Sequence, residues 1–360
     1  MKIIDRYFYE EMGAPVIFGI SLFTFIFLID ALVEMMENII VKNVPVKDVL
    51  SLISYYFPPV LVQTIPMGLL LGVMISYGKL SGNSEIVALE SIGISMTRFL
   101  RPALILGVLT MGFVFFLEEE VVPESYTKFG MLSKKIAYRK PAVKIEEKVF
   151  VEGIGDYNIY INKMDNEVSE AENLIVFKKE SDTPFPEVII SKKAKWKKSD
   201  MILENANFYN INSKGEKELS GSFEKQSIPI NTFFGNFSIN KKRKSMMSIT
   251  ELREAIIKRR KKKINSLSYE IEYQQKLAIP ISALILSFLG VLLSVKNNRN
   301  GKGVSFGISL VIIFFYIMGI NFGRLLIYNK VLSPIVGMWY PNLLLLLLSL
   351  ILFYKQTRSR

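Results

Sequence analysis

The chain offers few residues with which to do chemistry. It has no histidine and no cysteine. The commonest general base, the commonest metal ligand and all thiol chemistry are therefore missing together. The densest acidic cluster is Glu118, Glu119 and Glu120. Three consecutive residues on a helix point in different directions and do not converge on one cation. Gly301 and Gly303 flank Lys302, but the run is too short for a G-x-x-x-x-G-K-[ST] phosphate loop and follows no strand. No serine–lysine pairing stands out. No catalytic residue and no metal ligand set is assigned.

Two polar features remain. The first is the stretch Lys79–Arg101. Asn83 or Ser84 can cap a short helix with Glu85 in its first turn, where negative charge is favoured. Ile86, Leu89 and Ile92 or Gly93 complete it, over about residues 84–93. Ser95 can cap the next helix, which holds Arg98 and Arg101 before Pro102. Such a helix either floats at a lipid interface or docks a cytoplasmic partner. The second feature is Arg324, just past the uncharged run Ile308–Ile320. It can snorkel to lipid headgroups or bind a phosphate or acidic sugar. Lys42 and Lys330 are further candidate headgroup contacts.

Apolar runs must position these residues. Half of the 360 residues are hydrophobic, yet Pro123–Glu270 carries 29 Lys and Arg against 20 Asp and Glu. That block cannot cross hydrocarbon. Three spans precede it: Met12–Ile29, Val49–Tyr77 and Ala103–Leu117. Three follow: Leu277–Val295, Val304–Phe322 and Val336–Tyr354. The expected fold is an α-helical membrane protein with six transmembrane helices and an inserted all-β, jellyroll-like domain. Its parts are a first transmembrane half (1–122), a β domain (123–248), a charged linker helix (249–273) and a second half (274–360). Pro58, Pro59 and Pro66 should bend the second span. Gly68 and Gly72, and Gly319 and Gly323, are candidate sites of close helix packing. The third span should stop at the glutamates, unless Val121 and Val122 extend the helix as far as Pro123.

Within the insert, Tyr157, Ile159 and Ile161 alternate with polar neighbours. Leu174–Phe177, Val188–Ile190, Phe208 with Ile211, Ile228 with Ile230, and Phe237 with Ile239 read as short strands. An antiparallel fold over about Lys144–Ile239 follows. Ser248 and Glu251 form a capping box. The helix they start carries Arg259–Lys263 and should lead straight into the fourth span. The net charge of +12 points in a membrane protein to anionic headgroups or an anionic substrate rather than nucleic acid. Positive charge in the N-terminus, Lys79–Arg101, Lys296–Lys302 and the C-terminus puts all four on the cytoplasmic side. The β domain then lies on the opposite side.

Ser84-Glu85-Ile86-Val87-Ala88-Leu89 through Gly93-Ile94-Ser95 resembles the cytoplasmic coupling segment of the lipopolysaccharide export permeases, the LptF/LptG family. Pro66–Gly72, Val122-Pro123-Glu124, Leu277–Pro280 and Trp339-Tyr340-Pro341-Asn342 are similar in the same order. The resemblance covers nearly the whole chain. It implies a subunit in the bacterial inner membrane, paired with a homologous second permease over a dimeric cytoplasmic ABC ATPase. The partner would bind and hydrolyse ATP with magnesium, and this chain would hold no cofactor. Lipopolysaccharide would enter between span 1 of one subunit and span 5 of the other and pass through the β domains to a periplasmic β-jellyroll bridge. Glu85, Ile86 and Leu89 become the ATPase-coupling residues.

One departure stands out. Family members often carry basic residues near the outer end of span 1, where this chain has Asp30, Glu34 and Glu37, with Lys42 and Lys47 beyond. The partner supplies the cations, the head group differs, or another lipid is handled. The other readings are an ABC permease subunit that transmits force without passing lipid, and a membrane scaffold with no ATPase. Both transport readings make the chain a non-enzyme.

Overall fold

The computed structural model describes residues 3–42, 44–139, 150–154, 157–165, 170–178, 187–197, 200–211, 217–229, 244–295 and 302–358. They fall into two units: residues 1–36, 46–130 and 243–360, and residues 37–45 and 131–242.

The first unit contains six helices long and apolar enough to span a membrane. Hydrocarbon offers no hydrogen-bond partner, so each spanning backbone must satisfy itself. α1 (Ile3–Lys42), α2 (Val46–Gly82) and α4 (Met96–Phe116) come before the insert, with the short α3 (Glu85–Ser91) between α2 and α4. α4 runs through a π-helical turn, Leu117–Val121, into α5 (Val122–Arg139). After the insert come α6 (Ile249–Lys261), α7 (Leu267–Val295), α8 (Lys302–Tyr328) and α9 (Pro334–Arg358).

α2 and α7 form the centre. In their most apolar stretches 83% and 78% of residues are buried, against 22% to 33% in the other four spans. Small residues allow the close approaches. A side chain at Gly68 would strike the backbone of Ile20, and one at Gly72 the backbone of Val16. Gly323 lies against the carbonyl of Gly337, and Gly319 packs on Pro341. Hydroxyls and amides supply polar links between helices. Thr24 and Thr64 share a hydrogen bond of 2.8 Å. Ser294 Oγ donates to the Met74 carbonyl at 3.2 Å, Asn342 Nδ2 to that of Ala278 at 2.8 Å, and Gln356 Nε2 to that of Leu292 at 2.8 Å.

Several boundaries differ from the sequence expectation. α1 begins at Ile3 as one helix with the first span, because Phe8 and Met12 are fully buried. α2 is longer than the expected Val49–Tyr77 span at both ends, and it keeps all three prolines inside one helix. The third span does not stop at the glutamates but continues helically through them. The wider π turn falls where Pro123 cannot donate to the carbonyl of Glu119. The capping box forms as expected: Glu251 N donates to Ser248 Oγ and Ser248 N to the Glu251 carboxylate. α6 does not lead straight into the fourth span. Its cationic C-terminus repels itself in helical register, Lys263 turns left-handed (φ 53°), and Asn265 Oδ1 caps α7 by accepting from Leu267 N at 2.9 Å.

The second unit carries a six-stranded antiparallel sheet in sequential order, β1 (Phe150–Ile154), β2 (Tyr157–Asp165), β3 (Glu170–Lys178), β4 (Glu187–Lys197), β5 (Asp200–Ile211) and β6 (Lys217–Pro229). The alternating segments from Tyr157 through Ile228 all fall on strands. Ile230 and Phe237–Ile239 lie outside the described residues. Among those described, the strands form one meander, and no crossover to a second layer is present. A line of residues through Asn173 and Asn205 interrupts the pairing, with both asparagines left-handed (φ 55° and 52°). On one side of it Ala171, Ala194 and Leu203 are buried; on the other, Leu174, Ser191 and Ala206. The buried parity thus shifts by one at residues whose short polar side chains tolerate that backbone. Across β3 and β4, the Glu170 carboxylate accepts from Lys195 at 2.9 Å and holds that ammonium's pKa above its ordinary value.

The glycine contacts give a test. Gly72→Ala must push α1 off α2 and should destabilise the membrane unit by about 1–3 kcal/mol. Gly112→Ala, which meets nothing within 4 Å, should be neutral or slightly stabilising. Thermal unfolding of the purified protein in one detergent compares them.

Candidate functional site

α3 is held to the membrane unit by both apolar and polar contacts. Ile86 is 1% exposed, in a cluster with Phe8, Tyr77 and Phe99, and Leu89 packs against the same cluster. Phe8 stacks on Tyr77, whose hydroxyl donates to the Phe99 carbonyl at 2.6 Å. Three polar links then run from the first turns of α1. Arg98 pairs with Asp5 at 2.9 Å and Lys79 with Glu11 at 2.6 Å. Tyr7 Oη donates to Glu85 Oε2 at 2.7 Å, while Asn83 Nδ2 donates to the other carboxylate oxygen at 2.9 Å. The start of α1 therefore grips the last turn of α2 at Lys79, the first residue of α3 at Glu85 and the first turn of α4 at Arg98.

This corrects the expected use of the apolar residues. Ile86 and Leu89 face the chain's own core, because a seven-residue helix is stable only when its apolar side is buried. The outward side carries Val87, Ala88, Ser91 and Ile92, with Ile92 73% exposed. Ser84 and Ser95 hold the N-cap positions, but neither side chain caps. Ser84 is left-handed at φ 60° and the Ser95 hydroxyl bonds Thr97 instead.

A second constellation lies among α2, α7 and α8. Arg324 donates through Nη2 to Gln275 Oε1, while its Nε is buried without a partner. It lines a cavity of about 170 Å³ together with Gln63, Met67, Ile279, Tyr316 and Asn321. The Tyr316 hydroxyl, also buried there, makes no hydrogen bond. Two unsatisfied donors facing one small cavity suit an acceptor-rich group. Lys330 is elsewhere, exposed in the left-handed turn after α8. Lys42 is the last residue of α1, and its side chain lies outside the described set, as do those of Asp30, Glu34 and Glu37.

The three glutamates separate. Glu118 points inward and pairs with Lys276 at 2.7 Å, with both side chains at most 7% exposed. Glu119 turns to α6, accepting from Ile249 N at 2.8 Å and from the Thr250 hydroxyl. Glu120 is exposed. No group of residues suited to a metal ion occurs among the described residues. Sequence reasoning missed Lys276. Its signal was a lone lysine at the mouth of an apolar run, facing acids at the end of another.

A family model described as "Lipopolysaccharide export system permease LptF/LptG" matches residues 6–355. The chain belongs to the LptF/LptG family. This family is a transport component, and its members are multi-pass membrane proteins, as the six apolar helices require. The lipopolysaccharide export system permease protein LptF of Escherichia coli strain K12 is 30% identical over 108 residues, and that of Shigella flexneri matches equally. Each match covers 30% of this chain and 30% of the relative's length.

The ion pair can be tested without reference to transport. Removing one partner strands a buried charge and should cost about 3–5 kcal/mol, whereas replacing both with apolar residues of similar volume should recover most of it. Glu118→Gln should therefore unfold at a lower temperature than the double variant Glu118→Leu with Lys276→Met.

Proposed function

We propose that this chain is a permease subunit of an ABC transporter in the bacterial inner membrane. It takes lipopolysaccharide from that membrane and hands it to a periplasmic bridge of β-jellyroll type. Its energy comes from a dimeric cytoplasmic ATPase, which binds the ATP and magnesium, and it works beside a homologous second permease. The observation that carries this reading is the family match over almost the whole chain. The geometry supports it in two places. α3 is a short element tied to α1 through Tyr7 and Glu85, and the helices on either side of it are tied to α1 through Glu11 and Asp5, so a displacement of α3 bears on α1. The Arg324 cavity offers donors to a phosphate or acidic sugar.

In this scheme both termini and α3 face the cytoplasm and the sheet domain faces the periplasm. Glu85 and the exposed residues of α3 meet the ATPase. Glu85 keeps carboxylate lone pairs beyond those taken by Tyr7 and Asn83, so a basic residue of the partner can still reach it. Acyl chains need an apolar path, since each CH₂ left in water costs roughly 0.8 kcal/mol.

Three measurements test the scheme. Glu85→Lys should abolish export and uncouple or release the ATPase while the subunit still inserts; Glu90→Lys should do less. Normal export by the Glu85→Lys protein with its unmodified ATPase would remove this site as the coupling contact. Arg324→Gln should reduce lipid retained through purification more than Lys330→Gln, read by native mass spectrometry at matched detergent and salt. For topology, Asn297→Cys in this cysteine-free chain should resist an impermeant thiol reagent in spheroplasts and react after lysis, with Lys214→Cys reacting in both.

A further inference from the structure

α6 and the entry to α7 form a cationic shelf at the end of the spans from which the inserted domain departs. Residues 253–270 carry seven cations against two acids. Glu254 is taken by Lys258 at 3.2 Å, and Glu270 by Arg260 at 2.9 Å and the Ser266 hydroxyl at 2.7 Å. Arg259 lies over the Tyr269 ring and donates to the Asn265 carbonyl. Among the described residues Arg253, Lys261, Lys262 and Lys263 make no ion pair. Ile257 and Ile264, 47% and 48% exposed, lie among these charges. Exposed isoleucines interleaved with free cations suit the headgroup boundary of a bilayer better than bulk water.

Beneath the shelf is a groove of about 440 Å³. Arg253 and Arg260 stand on its α6 side, and Ile257, Tyr273, Pro334 and Ile335 give it an apolar lining. Glu270 also borders it, with its charge offset by Arg260. The groove lies among α6, α7 and the start of α9, apart from the Arg324 cavity among α2, α7 and α8. An occupant must be amphiphilic, with a negative head and an acyl chain. We infer that this groove binds one anionic phospholipid of the surrounding leaflet, its phosphate held by Arg253 within the positive field of Lys261, Lys262 and Lys263, and one chain lying on Tyr273, Pro334 and Ile335. The arrangement fixes α6, and with it the Glu119 contact, at the level of the headgroups.

The protein carries its own probe. Trp339 Nε1 donates at 2.9 Å to the side chain of Gln274, which lines the groove. Trp196, on β4, is the other tryptophan. The full-length Trp196→Phe protein is reconstituted in phosphatidylcholine vesicles containing a small fraction of dibrominated phosphatidylglycerol or, separately, dibrominated phosphatidylcholine. Quenching of Trp339 should be several-fold greater with the anionic lipid. The preference should vanish with Arg253→Gln and shrink as salt is raised on the unsubstituted groove. An unchanged emission maximum in vesicles without bromine shows that the variant is folded; if it is not, the salt series and the triple substitution of Lys261, Lys262 and Lys263 by Gln decide. Equal quenching by the two lipids overturns the inference. So does an anionic preference that survives these changes, or displacement of the quenching lipid by stoichiometric lipopolysaccharide.

Discussion

A bilayer interior gives a polar group nowhere to go, and this fold is arranged around that constraint. α2 and α7 take the centre because they carry the small residues and hydroxyls that let neighbours approach and bond. Where two backbones meet at Gly68 and Ile20, or at Gly323 and Gly337, no side chain intervenes. Enclosed amides reach across to a neighbouring helix, as Asn342 does to Ala278 and Gln356 to Leu292, while enclosed serines such as Ser282 and Ser349 turn back to a carbonyl of their own helix. Lipid competes poorly for these contacts, which is why packing and hydrogen bonding, rather than expulsion of apolar surface, must hold the spans together.

Charge is handled differently at the two ends of the spans. At the end bearing the insert, one acid is buried with Lys276, the next caps α6 and the third meets solvent. The segment returning from the sheet domain is thereby fastened to the span that left for it. At the opposite end, Asp5, Tyr7 and Glu11 reach from α1 to both flanks of α3 and to its first residue. Each set converts a short polar element into an extension of a span, and a force applied to α3 or α6 is delivered to a rigid helix.

The two units solve unlike problems. The sheet is made of adjacent antiparallel pairs, so most of its contacts are local and its pattern survives in the alternation of residues. Asn173 and Asn205 show where alternation alone misleads: the buried parity changes there, and only a left-handed backbone at a residue that accepts it allows the strand to continue.

The sequence by itself determined the six spans, the inserted β domain and the family. Uncharged runs long enough to cross hydrocarbon have few alternatives, and a block with 29 cations and 20 acids cannot join them. It also marked Gly68, Gly72 and the Ser248–Glu251 box, because these depend on neighbours close in the chain or on residue size. Only the tertiary structure decided which side of α3 is free. Ile86 and Leu89 could have faced a partner, and it was the position of Phe8, Tyr77 and Phe99, up to 78 residues away from Ile86, that turned them inward. It likewise decided that Glu118 meets Lys276, 158 residues distant, and that Arg324 opens on a cavity while Lys330 does not. Pairings of that kind are set by helix rotation and register within the bundle, which follow from the summed packing of many side chains and leave no local trace in the chain.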